Sequence, residues 1–254
     1  MAKIQSIYRY PIKGLTPERL PRTVLTRGQT VPGDRLYAIE NGPSGFDPAA
    51  PKYLSKTHFL MLVKNERLAA VHAAFDQASH VLTLTYERRV AAAGDLRTAE
   101  GRAAIERFFA EYCADELRGP PKVLHADDKG FSFSDVAKRV VSIINLASVA
   151  ALEDMTGAAV NPLRFRGNLY VSGWPAWSEL ERVGQELMIA DARLKVVKRT
   201  VRCPATNVDP DTALRDLEIP RTLMNNLGHA DCGIYAEVVE GGAIAENDDI
   251  VIAA

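Results

Sequence analysis

Short β-branched and aromatic runs, each closed by a glycine, proline or asparagine turn, recur along most of this chain. That punctuation constrains the fold more than any other feature. KIQSIYRYPIKG at 3–14 alternates, which predicts Ile4, Ser6, Tyr8 and Tyr10 on one strand face and Gln5, Ile7 and Arg9 on the other. Pro11 and Gly14 break the run. RTVLTRGQT and RLYAIENG follow as two more short strands, with Pro32-Gly33 and Asn41-Gly42 as turns, and 42–51 is a loop by composition. From residue 164 the pattern returns in RFRGNLYVSG, QELMIADARLKVVKRTV, CGIYAEVVEG and DIVIA, divided by turns such as Ala190-Asp191 and Gly241-Gly242.

Helices are few. TAEGRAAIERFFAEYCADEL at 98–117 has Thr98 as N-cap, Glu100 in its first turn and a stripe of Ile105, Phe108, Phe109, Tyr112 and Leu117. A second helix is expected at about 146–156, ended by Gly157. Residues 66–86 read either as helix followed by strand or as a hairpin, and the flanking turns favour the hairpin. Many short strands with peripheral helices predict a mainly β, barrel-type protein rather than a doubly wound parallel sheet. The Gly-Pro-Pro at 119–121 marks a natural seam, which gives two β-rich lobes, 1–120 and 121–254.

At 254 residues and 47% apolar content the chain can build its own core, so disorder, collagen and coiled coil are excluded as the main architecture. With 31 basic and 32 acidic side chains, a general nucleic-acid or anionic-membrane binder is not expected, although a local basic pocket is. Three scattered cysteines make neither a disulfide framework nor an iron–sulfur ligand set, and they fit a reducing cytoplasm. The N-terminus lacks the pattern of a signal peptide, and no apolar stretch is long enough for a membrane span. Nucleotide-binding GxGxxG and P-loop patterns, HExxH and GxSxG are all absent, and the five histidines are dispersed without metal-ligand spacing.

The stretch that invites chemistry is KRTVRCPATNVDPDTA at 198–213, where Cys203 follows an apolar strand and enters a loop. Neighbouring Arg202 and Arg199 would favour its thiolate, which is both a soft metal ligand and a nucleophile. On chemistry alone, an inert cysteine buried at a strand end is the plainer reading. Cys113 falls on the helix stripe and is expected to pack, as is Cys232. Arg164 and Arg166 in RFRGN would share one strand face beside Asn168, an arrangement suited to phosphate or an oxygen-bearing heterocycle, or else to a solvated face. Lys13, after its strand, and Arg35 in GDRLYAIE are further anion-binding candidates.

Taken together and in order, these pieces resemble the MOSC-domain proteins with an N-terminal β-barrel domain. That group includes the mitochondrial amidoxime-reducing component and the C-terminal part of molybdenum cofactor sulfurases. YPIKG resembles the family's Y-P-(I/V)-K-(S/G), GDRLYAIE its D-R-x-(W/Y) segment, and RFRGNLYVSG its R-F-R-P-N strand. VRCPATNVDPDTA resembles R-C-x-x-T-x-V-D-P-x-T-G, and CGIYAEVVEGGAIAENDDIVI resembles the closing G-x-Y to G-D segment. The resemblance runs from about 3 to 252 and is strongest over the C-terminal 90 residues. Gly167, Asn207, Ala213 and Asn247-Asp248 depart from the family pattern.

The resemblance implies a molybdenum cofactor, a metal bound to a pterin that carries a phosphate, in a cleft between two lobes. It makes Cys203 the molybdenum ligand. Lys13 and Arg35 would hold the pterin and its phosphate, Arg166 and Asn168 would face the cofactor, and Thr206 and Asp209 would lie beside the metal, Asp209 as a proton relay. Arg164, Arg202, Ser142 and Asn145 complete the expected cofactor-binding set. The activity implied is reduction of N-hydroxylated small molecules, with electrons from a separate donor protein. A Cys203 persulfide carrier and a non-catalytic cofactor carrier are the alternatives. The pyridoxal phosphate chemistry of full-length sulfurases belongs to another domain.

Overall fold

The computed structural model describes residues 1–126 and 130–253. Its first half contains β1 (Ala2–Arg9), β2 (Glu18–Leu20), β3 (Arg22–Leu25), β4 (Ala38–Asn41), β5 (His72–Phe75), β6 (Val81–Tyr86), β7 (Arg89–Asp95), α1 (Ala99–Tyr112) and β8 (Pro121–Leu124). The second half contains β9 (Val141–Asn145), α2 (Leu146–Thr156), β10 (Leu169–Ser172), β11 (Glu186–Ile189), β12 (Ala192–Val201), α3 (Ile219–Leu227), β13 (Asp231–Glu240), β14 (Gly242–Ala245) and β15 (Asp249–Ile252). The fold is mainly β, with a closed barrel and few helices, as the sequence predicts.

The barrel runs β10-β9-β13-β12-β11-β15-β1 and closes through β1 against β10, with β2 as an outer neighbour of β1. Closure removes the edges that an open sheet would expose. The first strand of the chain therefore completes a barrel whose other six strands all come from beyond residue 140. Ile4, Ile7, Ile143, Leu169, Leu187, Leu194, Val196 and Ile234 fill the interior. Each such burial contributes about 1.5–3 kcal/mol. The simple alternation expected for β1 does not hold. A bulge between Ile4 and Ser6 inserts a residue, so Ala2, Ile4 and Ile7 all face the core.

The N-terminal lobe packs smaller sheets on one helix. β5, β6 and β7 form a three-stranded meander, which bears out the hairpin reading of 66–86, and β4 pairs with β8. α1 begins where predicted, its Thr98 side chain accepting from the Gly101 N–H at 3.0 Å, and it buries Ile105, Phe109 and Cys113 against Leu68, Leu82 and Leu84. α2 spans Leu146–Thr156 and ends at left-handed Gly157, again as predicted. Cys232 packs with Ile144, Leu152 and Leu223. RFRGN is not a strand. Asn161 caps a short 3-10 turn over Pro162–Phe165, Arg166 takes a left-handed φ of 51°, and β10 starts only at Leu169. Arg164 and Arg166 therefore share no strand face. No helix among the described residues is long and apolar enough to cross a membrane.

Candidate functional site

β12 delivers Cys203 to one side of a cavity of about 310 Å³, whose other side comes from the N-terminal lobe. Past Val201 the chain turns into a 3-10 segment, Pro204–Asn207. The Cys203 carbonyl accepts from both the Thr206 N–H and its hydroxyl at 3.0 Å, which pins the cysteine backbone. The Cys203 side chain is partly exposed and lines the cavity, whereas Cys113 and Cys232 are buried. Burial pushes both of those thiols up to about 12. The cation beside the Cys203 sulfur is neither Arg202 nor Arg199. It is Lys56, whose Nζ lies 3.2 Å from Sγ.

Arg202 and Arg199 are engaged elsewhere. Arg202 Nε donates to the Cys232 carbonyl at 2.7 Å and Nη1 to the Phe165 carbonyl at 3.0 Å, which holds its buried guanidinium against the cavity wall. Arg199 donates to the Leu180 carbonyl at 2.9 Å. Arg166 sits over the Tyr10 ring at 4.3 Å, with Nη1 on the Leu15 carbonyl at 2.9 Å. Arg35 lies over the same ring at 4.8 Å, pairs with Asp34, and donates from Nη2 to the Arg166 carbonyl at 3.0 Å. Both arginines have positive φ, 53° for Arg35 and 51° for Arg166. Backbone strain of this kind persists where the surroundings over-determine it.

Lys13 follows β1 through a turn in which Gly14 has φ +86° and a Cβ would stand 3.1 Å from the Leu60 carbonyl oxygen. Its buried ammonium donates to the Phe133 carbonyl at 2.9 Å and to Asp135. Burial pulls Lys13 below the usual lysine range, although Asp135 opposes this. Asp135 also stands 3.7 Å from Lys56, and this carboxylate is held down at about 2, because the lysines outweigh the opposing effect of burial. Asp135 and Lys56 were not among the residues expected from sequence, nor were Lys198 and Tyr235, which line the same cavity. Lys56 lies in a segment without periodicity and meets its partner only in the fold, so no local signal marks it.

Of the expected residues, Lys13, Arg35, Ser142, Arg164, Arg166, Asn168, Arg202, Cys203 and Thr206 line the cavity. Asn168 does so with its amide bonded on both sides, accepting from the Ser142 N–H at 3.0 Å and donating to the Tyr8 carbonyl at 3.1 Å. Two do not line it. Asn145 is fully buried, caps α2 and donates to Glu179 at 2.9 Å. Asp209 stands behind Arg164, accepting from its Nη2 at 2.6 Å, and its other oxygen accepts from the Asp211 and Thr212 N–H groups at 2.8 and 2.9 Å. Those bonds keep Asp209 below the usual carboxylate range against the effect of burial. Its position is that of an anchor for Arg164.

Four buried side-chain atoms of residues that line this cavity have no hydrogen-bond partner among the described residues: Arg164 Nε, Arg166 Nη2, Thr200 Oγ1 and Arg202 Nη2. Buried polar atoms are rarely left so, and three of these four can only donate. Among the described residues, no group of three or more His, Cys, Asp or Glu is placed to hold a metal. The site is therefore a basic, donor-rich cavity with one accessible sulfur, suited to an anionic, acceptor-rich ligand and to a metal that takes a single protein thiolate.

Comparison with known proteins identifies the family. The MOSC N-terminal beta barrel domain matches residues 1–116, and the MOSC domain matches 122–251. The chain is 33% identical to human mitochondrial amidoxime-reducing component 1 over 118 residues, 46% of this chain and 32% of that protein. It is 34% identical to rat mitochondrial amidoxime reducing component 2 over 102 residues, 39% of this chain and 30% of that protein. These matches thus span about a third of those relatives' length. Among solved structures, the YUAD protein from Bacillus subtilis aligns over 98% of this chain and 93% of its own, at 14% identity and a TM-score of 0.45. YiiM from Escherichia coli aligns over 45% of this chain and 54% of its own, at 17% identity and a TM-score of 0.33. With the MOSC match covering just over half of its length and the companion barrel domain ahead of it, the chain belongs to the MOSC-domain family.

Proposed function

We propose that this chain binds a molybdenum cofactor between its barrel and its N-terminal lobe and reduces N-hydroxylated small molecules such as amidoximes. The observation that carries the reading is the set of unpartnered donors, Arg164 Nε, Arg166 Nη2 and Arg202 Nη2, on the cavity that also presents Cys203. A phosphate-bearing pterin supplies the acceptors these donors lack, so the residues present fit the group. Lys13, Arg35 and Arg166 would hold its anionic end, while Arg202 and Thr200 would meet the pterin. Cys203 Sγ would ligate the metal. When bound, the group supplies a two-electron centre able to take oxygen from an N–O bond.

The chain's own task is orientation and charge compensation. The doubly accepted Cys203 carbonyl fixes the sulfur's position, and Lys56 Nζ lies 3.2 Å from that sulfur. The Asp209–Arg164 pair secures the wall between the Cys203 loop and the barrel, because Arg164 Nη1 also donates to the Asn207 carbonyl at 3.0 Å. Electrons come from a separate donor protein.

The test is metal analysis of the chain made in a host that synthesises the cofactor, together with amidoxime reduction by a chemical reductant. Wild type should carry stoichiometric molybdenum and turn over, and Cys203→Ala should lose both. A metal-free wild type, or a Cys203→Ala variant with full metal and activity, overturns the reading. The Lys56–Cys203 contact also favours a second reading, a sulfur carrier whose Cys203 holds a persulfide. Intact-mass analysis would then show one added sulfur atom on Cys203 and no molybdenum.

A further inference from the structure

The two walls of the Cys203 cavity are joined by a side chain that lies outside it. Arg215, in the loop after the Cys203 segment, donates from Nη2 to the Leu62 and Val63 carbonyls, each at 2.8 Å. From Nη1 it donates to the Pro204 carbonyl at 3.1 Å, and it pairs with Glu66 at 3.0 Å. Leu62 and Val63 belong to the N-terminal wall of the cavity, and Pro204 follows Cys203 directly. One guanidinium therefore bridges the segments on both sides of the sulfur. Only a planar, multi-donor group does this, since an ammonium has neither the reach nor the fork.

The other hydrogen bonds described between the two walls, from Lys56 to Cys203, Arg35 to the Arg166 carbonyl and Arg166 to the Leu15 carbonyl, hold neither residues 62–63 nor Pro204. Val208 and Arg215 form an isolated β-bridge, which fixes Arg215 to the barrel side. On the other side, Leu62 and Val63 precede the 3-10 segment Glu66–Ala70 and belong to no strand. A wall made of irregular chain opens locally at low cost unless something holds its carbonyls.

We propose that Arg215 is a strap that sets the aperture over Cys203, and so limits the girth of molecules that reach its sulfur. It is a positioning residue, which acts through the backbone of residues 62–63 and 204. The inference rests on reading this cavity as the working site, but its test requires no cofactor. Loss of molybdenum binding and loss of the strap are separate results.

Cys203 is the one partly exposed cysteine, the other two being buried, so thiol labelling reports on it alone. The measurement is the ratio of labelling rates for a bulky maleimide and for iodoacetamide on the full chain, with Cys203→Ala as the blank. Taking a ratio cancels any change in thiol reactivity that follows from removing a nearby charge. Arg215→Ala should raise the ratio about tenfold by freeing the wall to open. Arg215→Lys should raise it about threefold, because it keeps the charge but not the fork. Glu66→Gln, which leaves the three carbonyl bonds in place, should change it by less than about twofold. An unchanged ratio in Arg215→Ala overturns the proposal. If that variant does not fold, Arg215→Lys decides in the same way, and a ratio equal to wild type again overturns it.

Discussion

The barrel wall and the N-terminal wall of the cavity hold their cations by different means. On the barrel side Arg202 is fixed by two neutral carbonyls and Arg166 by one, which leaves a buried, unpartnered nitrogen on each. On the N-terminal side Arg35 is paired with Asp34, and Lys13 and Lys56 share Asp135. Carbonyls position a charge without neutralising it, whereas carboxylates do both. The barrel therefore presents its charge to a ligand, and the lobe offers charge already balanced. Arg164, held by Asp209 and Asp216, and Arg199, 3.8 Å from Asp231, are the barrel's exceptions, and Arg164 lies against the loop that carries Cys203.

This contrast predicts unequal costs of removal. Arg202→Met strands the Cys232 and Phe165 carbonyls in the interior, and bonds from a charged donor are worth about 1.5–3 kcal/mol each, so a loss of about 3 kcal/mol is expected. Lys13→Met strands one carbonyl, that of Phe133, and leaves a half-exposed carboxylate behind, so a smaller loss of about 2 kcal/mol is expected. Urea denaturation of both variants measures the difference. Equal losses would break the comparison.

Anion binding sharpens it further. Calorimetric titration with inorganic phosphate at low salt should show Arg166→Gln weakening binding about tenfold, since Arg166 is held by a neutral carbonyl and keeps a buried nitrogen unpartnered among the described residues. Lys13→Met should weaken it only about threefold, because Asp135 already takes part of that charge. Asp135→Asn should strengthen binding by a similar factor, since it releases both lysines. A larger effect at Lys13 than at Arg166 would reverse the assignment of the two walls.

How much of this was legible in the sequence depends on the range of the interaction involved. Local chemistry was readable. Thr98 opens α1, Gly157 closes α2, and alternation with turns announces a barrel. The hairpin from β6 to β7 was not, because its turn residues Glu87 and Arg88 both take positive φ, 50° and 63°, where Asn-Gly would be expected. α3 was missed although Pro220 near its start and Gly228 after its end are the usual signals, because only Ile219 and Leu223 in it are buried. RFRGN reads as a strand from its alternation, but the Asn161-Pro162 pair ahead of it starts a 3-10 turn instead. At the site, most residues singled out from the motifs line the cavity, while Asn145 and Asp209 stand off it. Lys56, Asp135 and Arg215 are set by contacts between distant segments, such as the 147-residue separation between Lys56 and Cys203, and no local pattern encodes those.

The departures from the family pattern offer the smallest and cleanest test, because two of them fall at positive φ. Ala213 has φ 60° in the tight turn after Cys203, where Asp209 N–H donates to the Leu214 carbonyl and Ala213 N–H to the Asp209 carbonyl at 2.8 and 2.9 Å. Asn247 has φ 73° in the turn before β15, on the barrel itself. A Cβ in the left-handed region costs about 1 kcal/mol for alanine and less for asparagine, whose short polar side chain tolerates that conformation. Glycine removes the cost but adds freedom to the unfolded chain. Ala213→Gly should therefore stabilise the protein by about 0.5 kcal/mol net, and Asn247→Gly should change it by less than a few tenths. If Ala213→Gly were destabilising in urea, the turn would have to draw more from the alanine methyl than it loses to strain. The loop carrying Cys203 would then be held by packing, as the barrel is, rather than by the backbone bonds that distinguish it.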